Sequence, residues 1–185
     1  MIKFIKGAKS VKDYPESKFE IVFIGRSNVG KSSLINCLYG KAAYVGKNPG
    51  KTRIINFFNV DNKYTICDVP GYGYANRSSE ELIEFGNMME DYFSNRKALR
   101  LCIFIVDIRR VPNNDDIDMI NFIREKRIKC LVVANKNDKV SNNDRNNSIK
   151  TISESLNIPI NSIICVSCLN KINIDTLKDK ISELV

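Results

Sequence analysis

The stretch Gly25-Arg26-Ser27-Asn28-Val29-Gly30-Lys31-Ser32 decides how this sequence is interpreted, because it fits the phosphate-loop pattern G-x-x-x-x-G-K-S. Residues 20–24 before it form an apolar run typical of a buried strand, and residues 33–38 after it are typical of a helix. A loop in this position can surround phosphate oxygens with backbone N–H groups at a helix N-terminus. We expect Gly25 to Ser33 to bind phosphate, with Lys31 reaching the β- and γ-phosphates and the Ser32 hydroxyl coordinating Mg²⁺.

Two further motifs predict which base accompanies the phosphates, since the phosphate loop alone leaves kinases, ATPases and GTPases open. The run Asn135-Lys136-Asn137-Asp138 follows a second apolar strand and has the form N-K-x-D. A carboxylate at Asp138 can accept hydrogen bonds from the ring N–H and the amine of guanine, whereas adenine presents the wrong order of donors. Asn135 would tie this loop to the phosphate loop, and the Lys136 stem would cover the base. Backbone N–H groups of Ser167-Cys168-Leu169 would close over the guanine.

Two more segments are candidates for binding the metal and the γ-phosphate. Asp68-Val69-Pro70-Gly71 follows an apolar strand, so that Asp68 would hold Mg²⁺ through a water and the Gly71 N–H would contact the γ-phosphate. Taken alone, D-x-P-G is also a common turn sequence. Thr52, within Gly50-Lys51-Thr52-Arg53-Ile54, is the candidate second Mg²⁺ ligand, on a loop expected to order around a triphosphate.

In this order the motifs resemble those of the EngB/YsxC (YihA) family of ribosome-assembly GTPases, within the translation-factor class. The matching blocks are GRSNVGKSSLIN from Gly25, PGKTRIINFF from Pro49, DVPGYGYA from Asp68, and the NKND and SCL segments, so that nearly the whole chain is covered. The resemblance implies Mg²⁺-dependent hydrolysis of GTP to GDP and a switch in assembly of the large ribosomal subunit. The catalytic set would be Lys31, Thr52 and Gly71.

Two residues bear on the rate of this reaction. Tyr72 stands directly after the D-x-x-G glycine, where Ras-like proteins place a glutamine that orients the attacking water. We therefore expect slow intrinsic turnover. Asn28 resembles the asparagine with which some related GTPases hold K⁺ beside the phosphates, which makes it a candidate potassium ligand.

Strand-like and helix-like stretches alternate along the 185 residues, of which 43% are hydrophobic, and this predicts one α/β domain. We expect a three-layer, Ras-like G domain over residues 1–185, with helices on both faces of a mostly parallel, six-stranded sheet and one antiparallel edge strand. Residues 1–18 are interpreted as a basic arm or an edge strand. The predicted strands are 20–24, 54–60, 63–67, 101–107, 130–135 and 163–167, and the predicted helices are 33–38, 80–95, 115–126, 143–156 and 174–184.

Charge points to a polyanionic partner, because 29 Lys and Arg exceed 21 Asp and Glu and give a net charge of +8. With the resemblance, this predicts binding to a large-subunit precursor and its ribosomal RNA, with no DNA or integral membrane association and as a monomer. The cytoplasm is the expected location, and the basic N-terminus leaves an organelle open. The expected RNA contacts are the N-terminal arm and Arg77, Arg96, Lys97, Arg100, Arg109 and Arg110.

An alternative from another class is a GTP-regulated protein-interaction module in cell division or membrane-associated signalling. The six cysteines are expected to be free thiols, since most fall in or beside apolar strands where a thiol behaves as a small hydrophobe. A nucleoside kinase is opposed by the N-K-x-D motif.

Overall fold

The computed structural model describes residues 2–40, 54–73 and 78–185, which form a seven-stranded sheet and five α-helices. The strands are β1 (Ile2–Ala8), β2 (Glu20–Gly25), β3 (Ile55–Val60), β4 (Tyr64–Asp68), β5 (Leu99–Asp107), β6 (Lys129–Asn135) and β7 (Ile163–Cys165). The helices are α1 (Lys31–Tyr39), α2 (Ser79–Asn95), α3 (Asn114–Glu125), α4 (Asn142–Leu156) and α5 (Ile174–Ser182). The strand order across the sheet is β1-β3-β4-β2-β5-β6-β7.

Helices cover both faces of the sheet, as predicted for a three-layer α/β fold. Successive residues of a strand point to opposite faces, and along β2 Ile21 and Phe23 pack with α1 and α5, whereas Val22 and Ile24 pack with α2, α3 and α4. The central strands are therefore apolar on both sides, which is the pattern of a buried parallel sheet. The predicted fold class is confirmed.

The strand β1 makes the sheet one strand wider than the six that were predicted. It pairs antiparallel with β3, from Ile2 opposite Val60 to Ala8 opposite Ile55. The strand β3 is also antiparallel to β4. The antiparallel strand of this sheet is therefore β3, which lies second from the edge, and β1 is the edge strand. The lysines between the two buried ends of β1 face outward, and they obscure the strand pattern in the sequence.

Local chemistry explains several element boundaries. The Ser78 side chain accepts a hydrogen bond from the Glu81 N–H at the start of α2, and Asn113 and Asp116 form a reciprocal capping box at α3. Asp61 and Asn62 have φ angles of 48° and 57°, the left-handed conformation of a tight hairpin turn. The last strand ends two residues earlier than predicted, at Cys165, because the residues after it enter a turn.

The parallel strands β2, β4, β5 and β6 end at one edge of the sheet, where α/β proteins bind ligands. Their last residues are Gly25, Asp68, Asp107 and Asn135. None of the helices within the described ranges combines the length and the apolarity needed to span a bilayer.

Candidate nucleotide-binding site

The phosphate loop connects β2 to α1 and contains two residues in the left-handed conformation, Asn28 at φ 68° and Gly30 at φ 93°. Gly30 is the N-cap of α1, and its carbonyl accepts the Leu34 N–H at 2.9 Å. A Cβ on Gly30 would lie 2.5 Å from Asn135 Nδ2. Gly30 is therefore required both by its backbone conformation and by the close approach of the N-K-x-D loop.

Lys31 and Asp68 form an ion pair between the phosphate loop and the end of β4, with both side chains largely buried. Ser32 follows in the first turn of α1. Hydroxyl and carboxylate oxygens are donors that Mg²⁺ prefers, so the residues present fit this metal. Gly50, Lys51, Thr52 and Arg53, the predicted segment with the second ligand, lie outside the described residues, and Ile54 lies against Gly7 of β1.

The D-x-P-G segment approaches the phosphate loop closely. The Ser27 N–H donates to the Tyr72 carbonyl at 2.9 Å, and a Cβ on Gly71 would lie 2.9 Å from Ser27 Oγ and 3.0 Å from Ser27 N. Only glycine permits this approach without displacing the loop. The predicted γ-phosphate-contacting segment is therefore brought next to the phosphate loop.

The Tyr72 side chain points into the core and is 4% exposed. Its hydroxyl donates to Asp116 Oδ1 at 2.8 Å, and its ring stacks on Phe104. Burial, followed by the Asp116 carboxylate, raises the pKa of this hydroxyl far above its usual value. The side chain that stands in place of a water-orienting glutamine is thus held in the core.

The N-K-x-D loop is hydrogen-bonded to the phosphate loop. Asn135 Nδ2 donates to the Val29 carbonyl at 2.9 Å, and Lys136 Nζ donates to the Asn28 carbonyl at 2.6 Å. The Asn137 N–H donates to the Val166 carbonyl at 3.0 Å, which joins the loop to the segment after β7. The three predicted segments therefore meet at one place.

Asp138 is oriented by the segment after β7. The Ser167 hydroxyl donates to Asp138 Oδ1 at 2.6 Å, which lowers the pKa of that carboxyl. Cys168 Sγ lies 3.7 Å from Asn135 Oδ1, and burial raises the pKa of the Cys168 thiol to about 12. Leu169 is 72% exposed. This geometry favours the ionised Asp138 carboxylate, whose second oxygen, Oδ2, lies 3.6 Å from Lys139 Nζ.

Asp107, at the end of β5, was not among the predicted site residues. It is 4% exposed and accepts hydrogen bonds from Lys136 Nζ at 3.0 Å and from the Arg109 guanidinium at 2.7 and 2.9 Å. Burial raises its pKa, but the Arg109 and Lys136 hydrogen bonds outweigh burial and lower the pKa to about 2. An aspartate that ends an apolar strand beside two ligand loops is a signal that could have identified it.

Arg96, one of the predicted RNA contacts, is paired with a carboxylate inside the protein. Its Nε donates to both carboxylate oxygens of Glu20 at 3.0 Å, and Glu20 is fully buried at the start of β2. Tyr92 donates to the same carboxylate at 3.0 Å. Net charge could not reveal this role, because the buried partner precedes Arg96 by 76 residues.

Comparisons with known proteins find relatives along nearly the whole chain. The family described as 50S ribosome-binding GTPase matches residues 20–136. A probable GTP-binding protein EngB from Mesoplasma florum is 42% identical, with 98% of this chain and 94% of the relative aligned. A probable GTP-binding protein EngB from Desulfitobacterium hafniense is 41% identical, with 99% of this chain and 93% of the relative aligned.

Solved structures show the same likeness. The crystal structure of a probable GTP-binding protein EngB superposes with a TM-score of 0.75 at 30% identity, covering 89% of this chain and 97% of the other. Era from Aquifex aeolicus, bound to GDP and aluminium fluoride, has a TM-score of 0.68 at 25% identity, covering 90% of this chain and 56% of Era. The fold and the site define a phosphate-loop GTPase. The chain belongs to the EngB family of GTP-binding proteins.

Proposed function

We propose that this GTPase hydrolyses GTP to GDP and phosphate as a switch in assembly of the large ribosomal subunit. The observation that carries the proposal is the hydrogen bond from Asn135 Nδ2 to the Val29 carbonyl, which joins the phosphate loop to the loop that would bind guanine. Residues 1–185 would act as one G domain, as a monomer in the cytoplasm. Membership of the EngB family supports the ribosomal role, since the matching family model is described as ribosome-binding.

Each part of the site would have a distinct role. Backbone N–H groups of residues 25–33 would surround the phosphates, and Lys31 would exchange Asp68 for the β- and γ-phosphate oxygens. Ser32, Thr52 and Asp68, the last through a water, would hold Mg²⁺, which would neutralise phosphate charge. The Gly71 N–H would contact the γ-phosphate.

Intrinsic hydrolysis would be slow because Tyr72 lies in the core and cannot orient the attacking water. We propose that K⁺ held by Asn28 adds positive charge beside the phosphates. Hydrolysis should then be faster in K⁺ than in Na⁺, and Asn28→Ala should abolish the difference. Equal rates of the wild-type protein in the two salts would contradict a potassium site.

A second candidate function is a GTP-regulated protein-interaction module. The observation that favours it is the exposed apolar pair on α2, Leu82 at 52% and Ile83 at 63%, close to the D-x-P-G segment in the chain. Such side chains can dock a protein partner. Binding to ribosomal subunits would be weak in that case.

Co-sedimentation with purified large ribosomal subunits tests the two candidates. For the switch, binding should be tighter with a non-hydrolysable GTP analogue than with GDP, because the triphosphate orders the segments that it contacts. The affinity for the subunits should fall by roughly 10³-fold or more between 50 and 200 mM salt if about six phosphates are contacted. The Asp138→Asn variant is a matched control that should respond to the xanthosine analogue instead. Binding to the subunits that changes with neither the nucleotide nor the salt concentration would favour the interaction module.

A further inference from the structure

We propose that Lys97, Arg100, Arg127 and Lys129 form a second functional surface, which binds the phosphate backbone of RNA. We call these four residues the basic pole. The inference rests on the proposed ribosomal function for the identity of the RNA. It assigns the contact to the end of the molecule away from the nucleotide, where it would hold RNA in either nucleotide state.

The topology places these residues at the amino ends of the central strands. Arg100 is the second residue of β5, and Lys129 is the first residue of β6 and pairs with Leu101. Lys97 and Arg127 lie in the turns that lead from α2 and α3 into these strands. The guanine loop follows the carboxyl end of β6, and the phosphate loop follows that of β2, which is parallel to β5, so the length of the strands separates the two surfaces.

The four cations line a single concavity together with Arg96 and Lys126. Its other lining residues are apolar, namely Phe19, Phe93, Leu99, Ile128 and Leu184. Arg96 is paired with the buried Glu20 and Lys126 with Glu90. The basic pole itself is exposed, and among the described residues no ion pair engages it. Its charge is therefore available to an anionic partner.

Helix ends do not account for all of this charge. Cations near a helix C-terminus stabilise the helix dipole, and Arg96 and Lys126, the C-caps of α2 and α3, are placed to do so. Arg100 and Lys129 belong to strands, where that benefit is absent. Arg127 has φ 54°, in the left-handed region where glycine or asparagine is usual.

RNA fits this surface better than a flat bilayer does. Cations spaced around a hollow can contact successive phosphates of a backbone that enters it, and release of counterions drives such binding. The apolar floor can accept sugar and base edges, as nucleic-acid grooves that combine charge with ring contacts do. A flat bilayer would meet only the rim of the concavity.

The test compares two variants with equal losses of charge. The first carries Lys97→Gln, Arg100→Gln, Arg127→Gln and Lys129→Gln. The control carries Lys150→Gln, Lys171→Gln, Lys178→Gln and Lys180→Gln, four exposed lysines outside the lining of the concavity, of which Lys171 has φ 54° like Arg127. The probe is a 20-base-pair RNA duplex of mixed sequence, titrated by fluorescence anisotropy from 50 to 200 mM salt.

The basic-pole variant should bind the duplex at least about tenfold more weakly than the wild-type protein at 100 mM salt, and its salt slope should fall by about 3 to 4. The control should stay within about twofold. Affinity for a fluorescent GDP derivative should be unchanged in the basic-pole variant, because none of its four changes lies in the nucleotide site, and this readout verifies that the variant is folded.

Equal duplex binding by the two variants would overturn the inference, as would failure of the wild-type protein to bind the duplex at 50 mM salt. Loss of binding to phosphatidylserine vesicles or polyglutamate, with duplex binding intact, would overturn it in favour of another polyanion. The proposed function fails on a different result, namely no co-sedimentation of the wild-type protein with large subunits in any nucleotide state.

Discussion

Asp138 is the residue on which the predicted choice of base depends, and the Ser167 hydroxyl fixes its carboxylate at 2.6 Å. Replacing Asp138 by Asn puts an amide where two guanine donors need an acceptor. We expect GDP affinity to fall roughly 10²-fold, from the loss of charge-assisted hydrogen bonds, and affinity for xanthosine diphosphate to rise. Calorimetry with both nucleotides measures this. Asp118→Asn, an exposed change on α3, is the control, and unchanged GDP affinity in Asp138→Asn would refute the role.

The lowered pKa of Asp107 predicts how the free energy of unfolding changes at acidic pH. Its pKa is about 2 in the folded protein against 3.8 for an ordinary aspartate. A lowered folded-state pKa means that its stabilising contribution is complete above about pH 4 and is lost as the pH falls towards 2. Urea unfolding across this window should show a steeper loss of stability in the wild-type protein than in Asp107→Asn. Parallel curves would show that the Lys136 and Arg109 hydrogen bonds do not stabilise the ionised form.

At the scale of elements, Tyr72 links the segment after β4 to the start of α3 through the buried hydroxyl of its side chain, 2.8 Å from Asp116. Tyr72→Phe removes the donor and leaves the buried carboxylate oxygen without it. We expect a loss of about 1–3 kcal/mol in the free energy of unfolding, measured by urea denaturation.

Tyr14 provides the matched control for Tyr72→Phe. Its hydroxyl is buried without a hydrogen-bond partner in the described part of the chain. Tyr14→Phe should therefore be neutral or slightly stabilising, because it removes a polar group that burial leaves unsatisfied. Equal losses for Tyr72→Phe and Tyr14→Phe would mean that the bond to Asp116 adds nothing.

At the scale of the whole molecule, the ion pair between Glu20 and Arg96 connects the start of β2 to the turn after α2. Arg96→Gln would leave a buried carboxylate without its cation, at a cost of about 3–5 kcal/mol. Lys97→Gln, the neighbouring exposed change, should alter stability by less than about 0.5 kcal/mol. Chemical denaturation of both variants tests this. A small effect of Arg96→Gln would show that Tyr92 alone satisfies Glu20.

Much of the fold follows from local chemistry. The apolar runs of β2, β4, β5 and β6, and the helix-capping residues such as Ser78, can be recognised over ten residues or fewer. The edge strand β1 is harder to recognise in the sequence, because its exposed lysines interrupt the alternation of apolar and polar residues. Its stability comes from pairing with β3, which is more than 45 residues away in the chain.

The sequence by itself determined the class of this protein, because a phosphate loop and a guanine-binding loop each consist of neighbouring residues whose types carry the chemistry. Only the tertiary structure decided how these residues support one another. Asn135 reaches Val29 across 106 residues, and Asp107 holds Lys136 from a different strand. The structure alone also separated Arg96, which is paired with the buried Glu20, from the exposed Lys97. A residue's charge is a property of its type, whereas its burial and its partner depend on the whole fold.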